Sequence, residues 1–154
     1  MLQKFEKDYW VHVIHAWGMT EMSPLGTVCA LKPQHLELSQ EERFTVQGKQ
    51  GRAVFGVDMK IVDTDGNKQP WDGTTTGDLL VKGPWIIANY FKGEGGDPLT
   101  NGWFPTGDVA KIDADGYMQI TDRSKDVIKS GGEWIGSIDI ENIAVAHPAV
   151  TMAA

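Results

Sequence analysis

The sequence predicts an α+β fold, mostly β with short helices, and three observations carry that expectation. Eighteen glycines and seven prolines in 154 residues point to many turns and short strands, because both residue types interrupt long helices. Two Asp-x-Asp-Gly turns, at 63–66 and 113–116, follow short β-prone runs. Helix-start chemistry stands at only two places: Ser39 with Glu42, and Ser137 with Asp139.

A chain of this length has the size of one ordinary domain and can bury a real core. The net charge of −7 argues against nucleic acid or an anionic membrane face as partner. Arg123, Lys125 and Lys129 still form a local basic cluster able to meet phosphate. With Cys29 as the single cysteine no internal disulfide can form, which suits a reducing compartment. No apolar run reaches the roughly 20 residues of a membrane span, and the start lacks signal-peptide order. A cytoplasmic protein without a membrane span is expected, with peripheral membrane contact left open. Both ends read as interruptions: the start runs almost at once into a dense polar motif, and the finish stops where a helix hands over to a new strand. A piece of a longer protein is therefore expected.

In chain order, residues 10–14 alternate as a strand, and 15–23 read as the polar loop at its end. In that loop AWGMTE sets an aromatic ring, a glycine, a hydroxyl and a carboxylate side by side. Trp17 can offer a flat face to a base, Gly18 lets backbone come close, Thr20 can bond a phosphate oxygen, and Glu21 can help hold Mg²⁺. A core Trp17 with solvated Thr20 and Glu21 accounts for the same letters, and His15 and Cys29 read as packed or hydrogen-bonded residues. Ser39 and Glu42 form a capping box, giving a short helix from Gln40 to about Val46.

Residues 55–62 alternate as a strand that DTDGN turns back. Neither Asp-x-Asp-Gly turn is an EF-hand, because the twelfth positions are Thr74 and Ser124 and no helices flank them. GDLLVKG, at 77–83, is another strand, followed by an apolar segment with Trp85 and Tyr90. Asp78 reads as solvated or capping. GEGGD, at 93–97, lacks phosphate-loop order and reads as a connection. The pair VAKI and YMQI, around DADG, forms a hairpin. If Ile112 pairs with Tyr117, Asp108 stands opposite Thr121, and Asp108 and Arg123 share the open end. Beyond it come a short apolar edge at 126–129, a tight loop at 130–133, and a helix over 138–146, capped by Ser137, that buries Ile140 and Ile143 or their neighbours and stops before Pro148.

Together HAWGMTE, GDLLVKG, GWFPTGD and DRSKDVIKSGGEWI resemble, in order and approximate spacing, the adenylate-forming superfamily of acyl-CoA synthetases, luciferases and peptide-synthetase adenylation domains. The likeness covers nearly the whole chain and is greatest to medium- and long-chain fatty-acyl-CoA ligases. It implies a piece of a larger two-domain α/β enzyme: residues 1–121 end the large AMP-binding domain, 122–125 are the hinge, and 126–154 begin the small C-terminal domain. The implied reaction joins a carboxylic acid to ATP as an acyl-adenylate, releasing pyrophosphate, and then passes the acyl group to the thiol of CoA.

By the same resemblance Trp17 lines the adenine site, Thr20 contacts phosphate and Glu21 helps bind Mg²⁺. Asp108 holds the ribose, Arg123 contacts ribose or phosphate, and Lys125 is the hinge. Gly131, Gly132 and Glu133 lie in the loop that swings toward CoA. A carboxylate suits the two adjacent ribose hydroxyls, and a forked guanidinium suits oxygen ligands. Two departures stand out: Trp17 replaces a common tyrosine, and Asp78 a usual glutamate. The family's phosphate loop would precede His15 and its terminal lysine would follow Ala154, so the 154 residues alone are expected to be inactive. A non-catalytic nucleotide-binding or interaction module is the alternative.

Overall fold

A computed structural model of the chain describes residues 1–130 and 133–153. Helix α1 (Leu2–Tyr9) leads through residues 10–15 to β1 (Ala16–Gly18), which pairs antiparallel with β2 (Leu25–Val28). Helix α2 (Gln40–Gln47) then precedes β3 (Arg52–Ala53), the third strand of that sheet. Strands β4 (Asp58–Val62), β5 (Gly77–Lys82), β6 (Phe104–Ile112) and β7 (Met118–Arg123) form an antiparallel meander in chain order. A separate hairpin of β8 (Ile128–Ser130) and β9 (Glu133–Ile135) leads to α3 (Ser137–Val145).

The mostly β character with short helices follows the glycine and proline content. Helix α2 starts where its capping box directs: Ser39 Oγ accepts from the Glu42 N–H, and the Glu42 carboxylate accepts from the Ser39 N–H at 2.9 Å. Both Asp-x-Asp-Gly turns are held by their first aspartate. Asp63 Oδ1 accepts from the N–H groups of Asp65 and Asn67, and Asp113 Oδ1 from those of Asp115 and Tyr117, each at 2.9 Å.

The core sits on one face of the meander, where Met59, Ile61, Leu79, Val81, Phe104, Ala110, Ile112 and Met118 are buried. Met22, Trp17 and Met19 from the first sheet pack on it. The two sheets are tied through Gln50 and Gly51: Gln50 N–H donates to Met118 O at 3.0 Å, and Met118 N–H to Gly51 O at 2.8 Å. Gln50 Oε1 accepts from the Ile120 N–H at 2.7 Å, and Thr27 Oγ1 donates to Gln50 O at 2.6 Å. One glutamine thus joins the sheet that carries Trp17 to the hairpin that carries Asp108.

Five expectations need correction. Residues 10–14 are not a strand, because no neighbouring strand among the described residues pairs with them; the β-ladder begins at Ala16, inside the expected loop. The strand expected from Phe55 starts at Asp58, since residues 54–57 turn, with a Val57 N–H to Val54 O bond of 3.0 Å. The hairpin pairs Ile112 with Met118 rather than Tyr117, and a bulge between Val109 and Ala110 sets Asp108 opposite Arg123 instead of Thr121. The burial expected of α3 is also missing, since Ile140 and Ile143 are exposed and none of its described residues is buried; and Ser137 is the first residue of α3 rather than its cap, Gly136 holding that place.

Candidate functional site

Strand β6 places Phe104, Thr106 and Asp108 on one buried face. A carboxylate there needs partners, because burying an unpaired charge is costly. Arg123 supplies one: its Nη1 lies 2.9 Å from Asp108 Oδ1, with the guanidinium side 59% exposed and the carboxylate side 5%. The bulge creates this pairing, since it puts the two residues directly across the ladder. Burial nonetheless pushes the Asp108 carboxyl above the usual carboxylate range, against the Arg123 charge and a smaller contribution from the Trp17 side chain as hydrogen-bond donor. Asp108 is thus a desolvated acceptor with Trp17 and Arg123 as its two side-chain partners.

The backbone around it is fixed from both sides. The Asp108 N–H donates to Thr106 Oγ1 at 3.1 Å, and that hydroxyl donates to Leu79 O at 3.0 Å. Gly107, at φ 76, adopts a conformation disfavoured for other residues, and its carbonyl accepts from the Ser124 N–H at 2.9 Å. Ser124 Oγ donates to Asp78 Oδ1 at 2.6 Å, so Asp78 anchors the exit of β7. A cleft of about 540 Å³ opens here, lined by Gly107, Arg123, Ser124, Lys125 and Asp126. Lys125 lies exposed in a turn closed by the Asp126 and Val127 N–H groups, both on Arg123 O at 3.0 Å.

The AWGMTE residues divide. Trp17 is half-buried against the core, and a Cβ on Gly26 would lie 2.7 Å from its ring. Gly18 has a structural reason to be glycine, because a Cβ there would lie 1.8 Å from the Pro24 carbonyl oxygen. Thr20 is exposed at the start of a single 3₁₀ turn. Glu21 is half-buried and tied twice to one later segment: its carbonyl accepts from the Ile87 N–H at 2.8 Å, and its Oε1 from the Tyr90 hydroxyl at 3.1 Å.

As a metal ligand Glu21 offers a hard carboxylate oxygen next to an exposed hydroxyl. Among the described residues no group of three or more His, Cys, Asp or Glu could hold an ion. That donor set fits Mg²⁺ shared between one carboxylate and a ligand's phosphates, not an all-protein cage.

Trp17, Asp108 and Arg123 are therefore brought together; Thr20 and Glu21 follow one turn beyond Trp17, and Lys125 follows Arg123 in the cleft. Gly131 and Gly132 lie outside the described residues, and of Glu133 only its backbone pairing with Ser130 is described. Two contacts had no visible signal in the sequence. Tyr90 meets Glu21 from 69 positions away. Asp122, 2% exposed, accepts from the Arg123 N–H at 2.7 Å and from both the N–H and hydroxyl of Ser137, so it caps α3 across the turn at Lys125.

The chain is a member of the AMP-binding enzyme family, whose profile matches residues 1–91. Its relatives include the 3-methylmercaptopropionyl-CoA ligase of Ruegeria lacuscaerulensis, 54% identical over all of this chain and 29% of that protein. The medium-chain-fatty-acid–CoA ligase of Ectopseudomonas oleovorans is 49% identical over the whole chain and 28% of its own length. Among solved structures, o-succinylbenzoate CoA synthetase from Bacillus subtilis in complex with its acyl-adenylate intermediate superposes with a TM-score of 0.73 at 30% identity, over 99% of this chain and 29% of that one. The same synthetase in complex with ATP and magnesium gives 0.72 at 31%, over 98% and 30%. The chain thus spans less than a third of the length of these relatives.

Proposed function

We propose that this chain is the nucleotide-holding and hinge segment of an ATP-dependent acyl-CoA ligase, acting on an aliphatic carboxylic acid, with a medium- or long-chain fatty acid as the first candidate. The observation that carries the reading is the Asp108–Arg123 pair: a desolvated carboxylate beside a guanidinium that is more than half exposed at the mouth of a cleft. A buried carboxylate can accept from the two hydroxyls of a ribose, while Arg123 turns its remaining N–H donors toward ribose or phosphate oxygens. Trp17 offers its ring face to the base, Thr20 its hydroxyl to phosphate, and Glu21 one carboxylate oxygen to Mg²⁺. When bound, that ion neutralises phosphate charge during adenylation. Relatives named as CoA ligases, and one held with an acyl-adenylate, support this order of events.

In this reading residues 1–121 end the AMP-binding domain and 126–154 begin the small one, with Lys125 as the hinge and Gly131, Gly132 and Glu133 facing CoA. The protein works in the cytoplasm on ATP, Mg²⁺, CoA and the acid, and the 154 residues alone do not turn over. The test is pyrophosphate release by a polypeptide that contains this chain at the length of its relatives, across acids of graded chain length. Release that depends on an aliphatic acid, together with CoA thioester formation, is expected. A folded, ATP-binding polypeptide that releases none with any acid overturns the assignment.

A further inference from the structure

Segment 84–91 makes two hydrogen bonds to Glu21 of the AWGMTE loop. The Ile87 N–H donates to its carbonyl at 2.8 Å, and the Tyr90 hydroxyl donates to Oε1 at 3.1 Å. The backbone bond fixes where the residue sits, and the phenol fixes how its carboxylate is turned. The strand before this segment is anchored independently: β5 is the second strand of the core meander, and Trp85 covers Gly56, where a Cβ would lie 2.7 Å from the indole. Tyr90 therefore reaches Glu21 from a supported arm.

We propose that Tyr90 is a positioning residue for the magnesium site: by occupying Oε1 of Glu21 it leaves Oε2 as the oxygen for the metal and holds the carboxylate in one rotamer. The inference rests on the reading of Glu21 as a Mg²⁺ ligand. Ligating carboxylates are commonly oriented by a second hydrogen-bonding group, whose loss weakens metal binding. A hydroxyl 69 residues away does this for Glu21 without bringing a second charge to the metal.

Calorimetry on the chain tests it, with Tyr90→Phe and Glu21→Gln as variants. In calorimetry of ATP binding at graded Mg²⁺, Tyr90→Phe should raise the Mg²⁺ concentration for half-maximal binding about tenfold, and Glu21→Gln should raise it further. If Glu21→Gln raises it and Tyr90→Phe does not, the positioning role fails while the metal site stands. If ATP binding is undetectable or independent of Mg²⁺ in every form, the reading of Glu21 itself fails and takes the proposal with it.

Discussion

Asp108 gathers the opposing demands of fold and function on one side chain. The ion pair with Arg123 is only partly desolvated, and exposed pairs are worth roughly 0–1 kcal/mol, so it does little for the fold. Asp108→Asn should shift the urea midpoint by less than about 1 kcal/mol equivalent, yet cost AMP binding at least about tenfold through a charged acceptor lost to ribose. Its pH dependence follows from the raised carboxyl. The folded chain holds this proton more tightly than the unfolded chain, so that contribution to stability is complete below the ordinary carboxylate value and is lost as pH rises through the raised one. On the proposed function AMP binding runs the other way: with the carboxylate as ribose acceptor, it should decline on acidification earlier than an ordinary aspartate would cause, as calorimetry at several pH values will read. Gly18 makes a purely structural prediction. Gly18→Ala drives a Cβ into the Pro24 carbonyl, so a loss of about 1–3 kcal/mol in urea denaturation is expected.

At the scale of elements, the β6–β7 hairpin carries the site at its open end and its anchors at the closed one. Tyr117, 1% exposed, donates to Ala30 O at 2.7 Å, and Lys49 Nζ meets Asp113 Oδ2 at 2.7 Å. Tyr117→Phe leaves a carbonyl without its donor and should cost about 1 kcal/mol in stability with AMP affinity unchanged. Asp122→Ala removes the acceptor for the first N–H of α3, so amide exchange in Ser137–Val145 should accelerate while β5 and β6 keep their protection.

Much of this level was legible beforehand. The capping box at Ser39, the two aspartate-held turns and the β6–β7 hairpin all follow from local chemistry, because each is closed by a short stretch of neighbouring residues. The bulge was not, since the extra residue, Thr121 on β7 opposite the Val109–Ala110 step, leaves no mark in the letters; the sharing of one hairpin end by Asp108 and Arg123 survived, but their direct opposition needed the ladder. Residues 10–14 failed as a strand for a related reason: alternation marks a chain able to pair, and pairing needs a neighbour. Tyr90 on Glu21 and Gln50 between the sheets are long-range contacts with no local signature at all.

For the molecule as a whole, the described residues divide into a packed meander and edges with much apolar surface open. Phe55, Trp10, Met152, Phe91 and Ile143 are each at least 75% exposed. With the chain spanning less than a third of its relatives, hydrogen exchange should find the slowest amides in β5 and β6 and fast ones in α1, α3 and residues 84–103. No described helix is long and apolar enough to cross a membrane.

The central claim is that Asp108 and Arg123 form half of a nucleotide site that this chain already holds. Calorimetric titration with AMP tests it most directly, comparing the chain with its Asp108→Asn variant. Saturable binding in the parent that disappears in the variant is the predicted result. Equal binding in both, or none in either while both remain folded, would contradict it.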